Sequence, residues 1–239
     1  MFVDMHQHFV YGMDDGAQTP EDMQKMLDLA YRNGAERIVA TPHATPGRHA
    51  FQMERFQEHF EAAKAWCAGQ GYKLKLYRGC EVFYTDDAAR LLDEGAIPSI
   101  GGSRYVLVEF SPDAPYDRLR QAARSLGSVG YQPIFAHIER YACLRKPAYV
   151  EQMHREYEVI MQVNASTVVS GGFFTRQWLR KVMRLNCVDL ISSDAHNLKT
   201  RRFCMKECYD LLKREYDKPT AQALCRGNAL AILKECEPG

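Results

Sequence analysis

The sequence lacks an apolar run of about 18 residues, an excess of one charge and any closely paired cysteines. Without such a run, we expect no helix that spans a membrane. Residues 1–8 have neither the basic start nor the apolar stretch of a signal peptide, so we expect a cytoplasmic protein. The formal net charge is +1, from 31 Lys and Arg against 30 Asp and Glu, and provides no general field for nucleic acid or anionic lipid. An anionic ligand would therefore have to be bound by a local group of side chains.

The eight cysteines are scattered, and no two of them form a Cys-x-x-Cys pair. In a chain without an export signal, they are expected to be reduced thiols. Cys208 and Arg214 have the Cys-x5-Arg spacing of cysteine-dependent tyrosine phosphatases. The residues between them contain none of the glycines that a phosphate-binding loop requires, and they are typical of a continuous helix. We therefore interpret this spacing as accidental.

The composition and the periodicity indicate an α/β protein with one domain over residues 1–239. Hydrophobic residues make up 46% and charged residues 26%, as in ordinary globular proteins, and α/β barrels reach this length around one core. Short β-branched or aromatic runs alternate with longer amphipathic stretches, which predicts successive β-α units and a parallel sheet. The predicted strands are Phe2–Met5, Arg37–Ala40, Lys73–Tyr77, Tyr105–Glu109, Pro133–Ala136, Tyr157–Val163 and Val188–Ser192. The predicted helices are Pro20–Asn33, Gln52–Ala68, Asp86–Glu94, Tyr116–Leu126, Ala148–Glu156, Thr175–Arg184 and a helical region from about Thr200 onward.

Histidines and carboxylates stand at or just past the ends of six of these strands, and only the sixth strand offers a neutral residue, Asn164. Parallel α/β folds build their sites at this edge, whether the strands close into a barrel or form an open doubly wound sheet. A lone His or Glu here is more often an ordinary polar residue, but His-x-His places two imidazoles on one side of a strand. Carboxylates gathered at one edge would repel each other without cations, so the pattern predicts bound metal ions. The candidate ligands are His6, His8, Asp15, His43, Glu81, Glu109, His137, Asp194 and His196.

In combination, these motifs resemble the PHP (polymerase and histidinol phosphatase) superfamily. The resemblance lies in His6-Gln-His8, Thr41-Pro-His43, Glu81, His137 and Ser193-Asp-Ala-His196. Within that superfamily, the chain is similar to the bacterial PHP-type protein tyrosine phosphatases of capsule and exopolysaccharide gene clusters. This closer similarity lies in the segments Asp4 to Gly16, His137 to Tyr141 and Ser193 to Asn197, with Arg201 following, and the resemblance covers essentially the whole chain.

The resemblance implies a distorted (β/α)7 TIM-like barrel of the PHP type that holds three divalent metal ions. Manganese is the expected metal, with iron, zinc or magnesium as alternatives. The resemblance assigns the first ion to His6, His8, Glu81 and Asp194. It assigns the second ion to Glu81, Glu109 and His137, and the third to Asp15, His43 and His196.

The activity that the resemblance implies is metal-dependent hydrolysis of phosphotyrosine in proteins. Hydroxide held by the metal ions is the expected nucleophile, so no phosphoenzyme is needed. Arg140 and Arg201 follow ligand motifs, and each is expected to bind phosphoryl oxygens with its guanidinium fork. The resemblance suggests the tyrosine-rich tail of a bacterial polysaccharide-synthesis kinase as substrate, and no nucleic acid partner is expected. Phe9, Tyr11 and the loop Ala44–Phe51 could form an aromatic and basic rim for the phosphotyrosine ring.

Two alternatives remain open at this point. One is another phosphoesterase of the PHP type, such as a histidinol-phosphate phosphatase, which would use the same metal ligands. The other is a non-catalytic metal-binding regulator, against which the full set of ligands argues. The segments Asp14-Asp15-Gly16 and His137-Ile-Glu-Arg-Tyr141 favour the tyrosine phosphatase.

Overall fold

The computed structural model describes residues 1–236 and shows parallel strands that alternate with helices. The strands are β1 Phe2–Gln7, β2 Ala35–Ala40, β3 His43–Ala44, β4 Lys75–Arg78, β5 Glu81–Phe83, β6 Tyr105–Glu109, β7 Gln132–Phe135, β8 Ile160–Asn164 and β9 Leu190–Ser192. The α-helices are α1 Pro20–Arg32, α2 Met53–Gly69, α3 Ala88–Asp93, α4 Tyr116–Ser128, α5 Pro147–Glu156, α6 Ala165–Ser170, α7 Phe173–Arg184, α8 Met205–Glu215, α9 Lys218–Gln222 and α10 Asn228–Leu233. Short 3-10 turns cover Ile100–Gly102, Ile138–Arg140 and Ala142–Arg145, and one π-helical turn covers Ala223–Gly227. No helix among the described residues is long and apolar enough to cross a membrane.

The strands occupy the seven positions that the periodicity predicts. One sheet has the order β1-β2-β4, and the other has the order β3-β5-β6-β7-β8-β9. β3 follows β2 after Thr41-Pro42, and β5 follows β4 after Gly79-Cys80, so each pair is one interrupted strand. Pro42 cannot donate a backbone hydrogen bond, which explains one interruption. These two short strands carry His43 and Glu81, and the sequence periodicity did not predict them as strands.

The last strand returns to the first, and the sheet therefore closes into a barrel. Gln7 forms a parallel bridge with Ala195, and the amide of Asp194 donates to the carbonyl of His6 at 2.9 Å. The buried Asp4 carboxylate accepts hydrogen bonds from the amide of Ser193 at 2.9 Å and from its hydroxyl at 2.5 Å. This closure confirms the barrel and excludes the open doubly wound sheet.

The barrel interior has an apolar layer below the layer that carries the polar ligands. Alternate strand residues fill the apolar layer, as expected for side chains that share one face of a strand. These residues include Val3, Met5, Val39, Tyr77, Leu107, Ile134 and Leu190, and α10 closes the layer with Ile232 and Leu233. A second, larger apolar cluster packs the helices against the outside of the strands. The layers leave the polar end of each strand facing a common space above the core.

Local sequence explains where several elements begin and end. Thr19 caps α1 and forms a capping box with Asp22, while Pro20 occupies the first helical turn, as predicted. The predicted strand Tyr157–Val163 instead begins at Ile160, because Glu158 has a φ of 52° and cannot continue an extended segment. The helix α6 directly after Asn164 was not predicted, since its sequence is rich in β-branched residues that favour strands.

Candidate metal centre

The nine predicted ligands meet at the C-terminal edge of the barrel. His6, His8, Glu81 and Asp194 are fully or almost fully buried, and each offers a ligand atom within 4.8 Å of the others. The Nε2 atoms of His6 and His8 lie 3.0 Å apart. Oε2 of Glu81 lies 3.1 Å from Nε2 of His6, and Oδ1 of Asp194 lies 3.3 Å from the same atom. The four side chains assigned to the first ion therefore point at one small volume.

Glu81 presents its two oxygens to different groups of residues. Its Oε2 faces His6 and His8, while its Oε1 lies 2.8 Å from Nε2 of His137. The same His137 atom is 3.7 Å from Oε2 of Glu109. This arrangement suits a carboxylate that bridges the first and second ions, as the resemblance implies.

His43 stands between the second and third groups because its two ring nitrogens face opposite ways. Its Nδ1 lies 3.1 Å from both Oε2 of Glu81 and Oε1 of Glu109. Its Nε2 lies 3.3 Å from Oδ1 of Asp15, and Nε2 of His196 lies 3.3 Å from the same oxygen. Asp15 is therefore close to both imidazoles, although it is largely exposed to solvent. The groups of ligand atoms within 4.8 Å of one another place His43 and His196 with His8, and Asp15 with Asp14 and His43.

The donor atoms of this cluster fit metal ions better than they fit one another. Among residues 1–236, Oε2 of Glu81, Nδ1 of His43 and Nε2 of His196 are buried without a partner in hydrogen-bond geometry, despite their close neighbours. Buried polar atoms without a partner destabilise a fold by about 1–3 kcal/mol each. Their lone pairs converge on shared points, which is the geometry that a coordinated cation requires.

The electrostatics of the cluster also call for added positive charge. Burial would raise the pKa of Glu81, but the charge on His6 and hydrogen bonds from neighbouring imidazoles hold that pKa well below its usual value. Burial would lower the pKa of His43, but Glu109 and Glu81 raise it to about 11. The carboxylates therefore favour positive charge on the imidazoles beside them. Divalent ions bound within the cluster would supply the same positive charge.

His196 differs from the other imidazoles because it favours the neutral form. Burial and the charges on His8 and Arg201 lower the pKa of His196 to about 2. Its Nδ1 lies 3.0 Å from the carbonyl oxygen of Asp194, which identifies Nδ1 as the hydrogen-bond donor. The lone pair on Nε2 therefore faces Asp15 and is available to a metal ion.

Irregular backbone aims several ligands into the barrel. In β1, the two residues Met5 and His6 stand opposite the single residue Val39 of β2, and this bulge brings both side chains to the barrel interior. His137 and Asp194 have φ values of 33° and 50°, in the left-handed region that costs non-glycine residues about 1–3 kcal/mol. Strand alternation alone would have sent some of these side chains outward.

A chain of amides on β8 positions ligands from three other strands. Oε1 of Gln162 accepts from the amide of His137 at 2.8 Å and lies 3.3 Å from Nδ1 of His6. Nε2 of Gln162 donates to Asn164, whose side chain donates to Oδ2 of Asp194 at 2.7 Å. Gln162 thereby directs Nε2 of His6 toward the metal volume. In the sequence, this support could have been recognised from Gln162 and Asn164, two polar residues at alternate positions near the end of an otherwise apolar strand.

Asp14 is a further residue of the site that the candidate ligands predicted from the sequence do not include. Its Oδ2 lies 2.6 Å from Nδ1 of His8 and accepts from the amide of His43 at 2.9 Å. A Cβ atom at Gly16 would lie 2.2 Å from the carbonyl oxygen of His8, so only glycine fits beside that strand end. The Asp14-Asp15-Gly16 turn therefore places one carboxylate behind His8 and the next one, Asp15, toward the third group.

Arg140 and Arg201 each donate a hydrogen bond to the carboxylate of Asp194, one to each of its two oxygens. Arg140 donates from Nη2 to Oδ2 of Asp194 at 2.6 Å, and Arg201 donates from Nη2 to Oδ1 at 2.9 Å. The side chain of Asn197 accepts from the amides of Lys199, Thr200 and Arg201, which fixes the loop that carries Arg201. Both guanidinium groups remain partly exposed, so an anion from solvent can reach them.

Two expectations about other residues have clear outcomes. Phe9 is fully buried and packs against Phe60, so its predicted place on an exposed aromatic rim is wrong. Cys208 is also fully buried, and burial raises the pKa of its thiol well above the usual value. Cys208 and Arg214 both lie on α8, a continuous helix, which confirms that their spacing is accidental.

Comparisons with known proteins agree with this geometry. The sequence profile described as "Capsular polysaccharide synthesis, CpsB/CapC" matches residues 2–234. The tyrosine-protein phosphatase CpsB of Streptococcus pneumoniae is 28% identical over 98% of both chains. The tyrosine-protein phosphatase YwqE of Bacillus subtilis is 29% identical over 97% of this chain and 91% of its own length.

Solved structures resemble the fold as well. One of the crystal structures of YwqE from Bacillus subtilis and CpsB from Streptococcus pneumoniae, described as unique metal-dependent tyrosine phosphatases, superposes with a TM-score of 0.87 and 27% identity over 99% of this chain and 96% of that one. A candidate histidinol phosphatase from Listeria monocytogenes has a TM-score of 0.55 at 12% identity, over 82% of this chain and 94% of its own. The second likeness concerns the barrel alone.

Proposed function

Since this chain belongs to the CpsB/CapC family of capsular polysaccharide synthesis and is a metal-dependent tyrosine-protein phosphatase, we propose that it hydrolyses phosphotyrosine by direct attack of hydroxide, without a phosphoenzyme. The observation that carries the proposal is the convergence of buried, partnerless donor atoms around Glu81. We propose three divalent ions, with manganese as the metal, held by the ligand sets given above. When bound, such ions supply hydroxide near neutral pH and screen charge on the phosphoryl oxygens.

The residues of the chain divide the remaining work. Glu81, His43 and their neighbours would hold the ions, and Gln162 and Asp14 keep the imidazoles of His6 and His8 in the orientation that suits metal binding. We assign Arg140 and Arg201 to the phosphoryl oxygens, because both guanidinium groups reach the edge of the cluster and remain accessible. The leaving tyrosinate has a reference pKa of about 10, so the reaction needs no dedicated general acid.

For the physiological substrate, we propose a cytoplasmic tyrosine kinase segment that acts in polysaccharide synthesis. The family description supports this choice, because it places the relatives in capsular polysaccharide synthesis. Histidinol phosphate is the competing small substrate of the same fold, but the similarity there is limited to the barrel.

The test is turnover of a phosphotyrosine peptide beside histidinol phosphate, after metal has been stripped and each candidate ion returned separately. We expect the peptide to be hydrolysed much faster, and manganese to restore activity. Preferential hydrolysis of histidinol phosphate would contradict the proposed substrate class. Turnover of neither substrate, with metal bound, would contradict the proposed mechanism.

A further inference from the structure

A pocket separate from the metal centre lies between the beginning of α5 and the face of α7 that runs from Phe174 to Lys181. Its volume is about 220 Å³. Its lining residues are Arg145, Pro147, Phe174, Gln177, Trp178 and Lys181. Here it is called the rim pocket. None of these residues belongs to the metal cluster or to the pair of arginines described above.

Topology places the rim pocket at the same end of the barrel as the candidate metal ligands. Helices that follow parallel strands run back along the barrel, so α5 and α7 begin near the C-terminal strand edge. The indole of Trp178 donates to the carbonyl of Leu144 at 2.8 Å and joins α7 to the turn Ala142–Arg145. Arg145 follows Arg140 by five residues in the sequence. Five residues span at most about 18 Å, so one extended peptide of about six residues can reach both arginines.

The rim pocket is positively charged in a chain whose net charge is only +1. Between Glu158 and Asp189 the sequence has four basic residues, Arg176, Arg180, Lys181 and Arg184, and no acidic residue. Within residues 1–236, neither Arg145 nor Lys181 has a carboxylate within ion-pair distance, and both are exposed. Two unpaired cations beside one pocket favour an anionic partner.

The same pocket exposes aromatic surface. Phe174 is 79% exposed and Phe173 is 65% exposed, and their rings pack edge to face at 5.6 Å. Large apolar side chains that are this exposed beside a pocket are typical of binding sites. The pocket is concave, with walls from Phe174, Trp178 and Pro147, so it suits a single inserted side chain. A membrane surface would instead favour a protruding apolar face.

We propose that the rim pocket binds an acidic segment of the phosphoprotein substrate, with an aromatic or aliphatic side chain of that segment inserted beside Trp178. This inference rests on the proposed function, because the phosphotyrosine would lie at Arg140 while the flanking segment contacts the rim. The reach of an extended peptide places the bound segment within about six residues of the phosphotyrosine. Substrate selection then depends on sequence around the phosphotyrosine as well as on the phosphoryl group.

The first test measures binding without catalysis. The chain has two tryptophans, so Trp66→Phe leaves Trp178 as the only indole reporter. The probe is an unphosphorylated peptide in which Phe is flanked by Asp and Glu. We expect a saturable change in Trp178 fluorescence, weakened at least tenfold by Lys181→Glu. Lys25→Glu, the same charge change on an exposed residue of α1, should leave binding within about twofold.

Equal binding to both variants, or no binding by the parent protein, would overturn the proposal. The proposal would also be overturned if the protein bound phosphatidylglycerol vesicles but not the peptide, and if Phe174→Ser abolished the vesicle binding. That outcome would assign this surface to a membrane. These outcomes do not depend on turnover, so they remain informative even if the proposed function fails.

The second test compares two phosphotyrosine peptides that differ only in the flank. One carries Asp, Glu and Phe within six residues of the phosphotyrosine, and the other carries Asn, Gln and Ser there. We expect the parent enzyme to favour the acidic peptide about tenfold in kcat/KM, through KM rather than kcat. The ratio should approach one in Lys181→Glu and Arg145→Glu and stay near ten in Lys25→Glu. A ratio unchanged by the rim substitutions would rule out the pocket as the determinant.

Discussion

Oδ2 of Asp194 accepts a hydrogen bond of 2.6 Å from Nη2 of Arg140. The other oxygen of that carboxylate accepts from Arg201, so two guanidinium groups flank one candidate ligand. Neither arginine forms a hydrogen bond or an ion pair with Glu81, the carboxylate proposed to bridge two ions. Their shared position at the edge of the cluster is the reason to expect that they act on the phosphoryl group, while the metal is held by other residues.

Arg140→Lys and Arg201→Lys should each lower kcat while metal content stays near the parent value. Loss of one charge-assisted bond to the reacting group is worth roughly 3 kcal/mol, or about a hundredfold in rate. Lysine keeps the charge but cannot form the planar fork. Steady-state kinetics and elemental analysis check this, with Arg202→Lys as the matched control, since Arg202 pairs with Glu207 instead. Near-parent turnover in both variants would exclude phosphoryl binding by these arginines.

Chelation should abolish activity, and manganese should restore it, because the proposed nucleophile depends on divalent ions. Cys208→Ser should turn over substrate at nearly the parent rate, since that thiol is buried in α8 and its pKa is raised. Circular dichroism of the serine variant establishes that it is folded. A folded but inactive serine variant would contradict the metal mechanism.

His6→Ala, Glu81→Ala and Asp194→Ala should lower bound metal as well as rate, because their ligand atoms share one volume. His154→Ala is the control, as this histidine lies on α5, pairs with Asp189 and is outside the cluster. Elemental analysis of the purified variants decides the outcome. Parent-level metal in the double substitution His6→Ala with His8→Ala would refute the ligand assignment.

Gln162→Met should increase the manganese concentration required for half-maximal activation by about tenfold to a hundredfold. The thioether offers only a weak acceptor to Nδ1 of His6 and to the amide of His137, so the His6 ring is less well oriented. Gln162→Glu retains an acceptor oxygen and should recover much of the affinity. Metal titrations of the stripped proteins measure both effects, and equal titrations for parent and Gln162→Met would show that the amide does not position His6.

The ion pair between His154 and Asp189 should stabilise the fold only at lower pH. Nε2 of His154 lies 3.1 Å from Oδ1 of Asp189, and this hydrogen bond raises the pKa of His154 above its usual value. The stabilisation is complete below the unfolded pKa of about 6.5 and disappears as pH rises through the folded pKa. Urea unfolding of parent and His154→Asn should differ by about 0.2–1 kcal/mol more near pH 5.5 than near pH 9. A difference that grows with pH would contradict this assignment.

Local residue patterns are sufficient to predict the alternation of strands and helices and the polar residue at each strand end. Both are local properties, because periodicity and residue type are read within a few positions. The seven strand positions and the gathering of His6, Glu81 and Asp194 at one edge therefore follow from the fact that parallel strands end on the same side of the barrel.

The orientation of those side chains depends on contacts that form only when the chain is folded. The bulge in β1 and the left-handed backbone at His137 and Asp194 arise from contacts between distant strands, such as the bridge of Gln7 with Ala195. The support of His6 by Gln162 joins residues 156 positions apart. Periodicity carries no information about such pairs, because a hydrogen bond across the barrel depends on register and closure, which exist only in the folded chain.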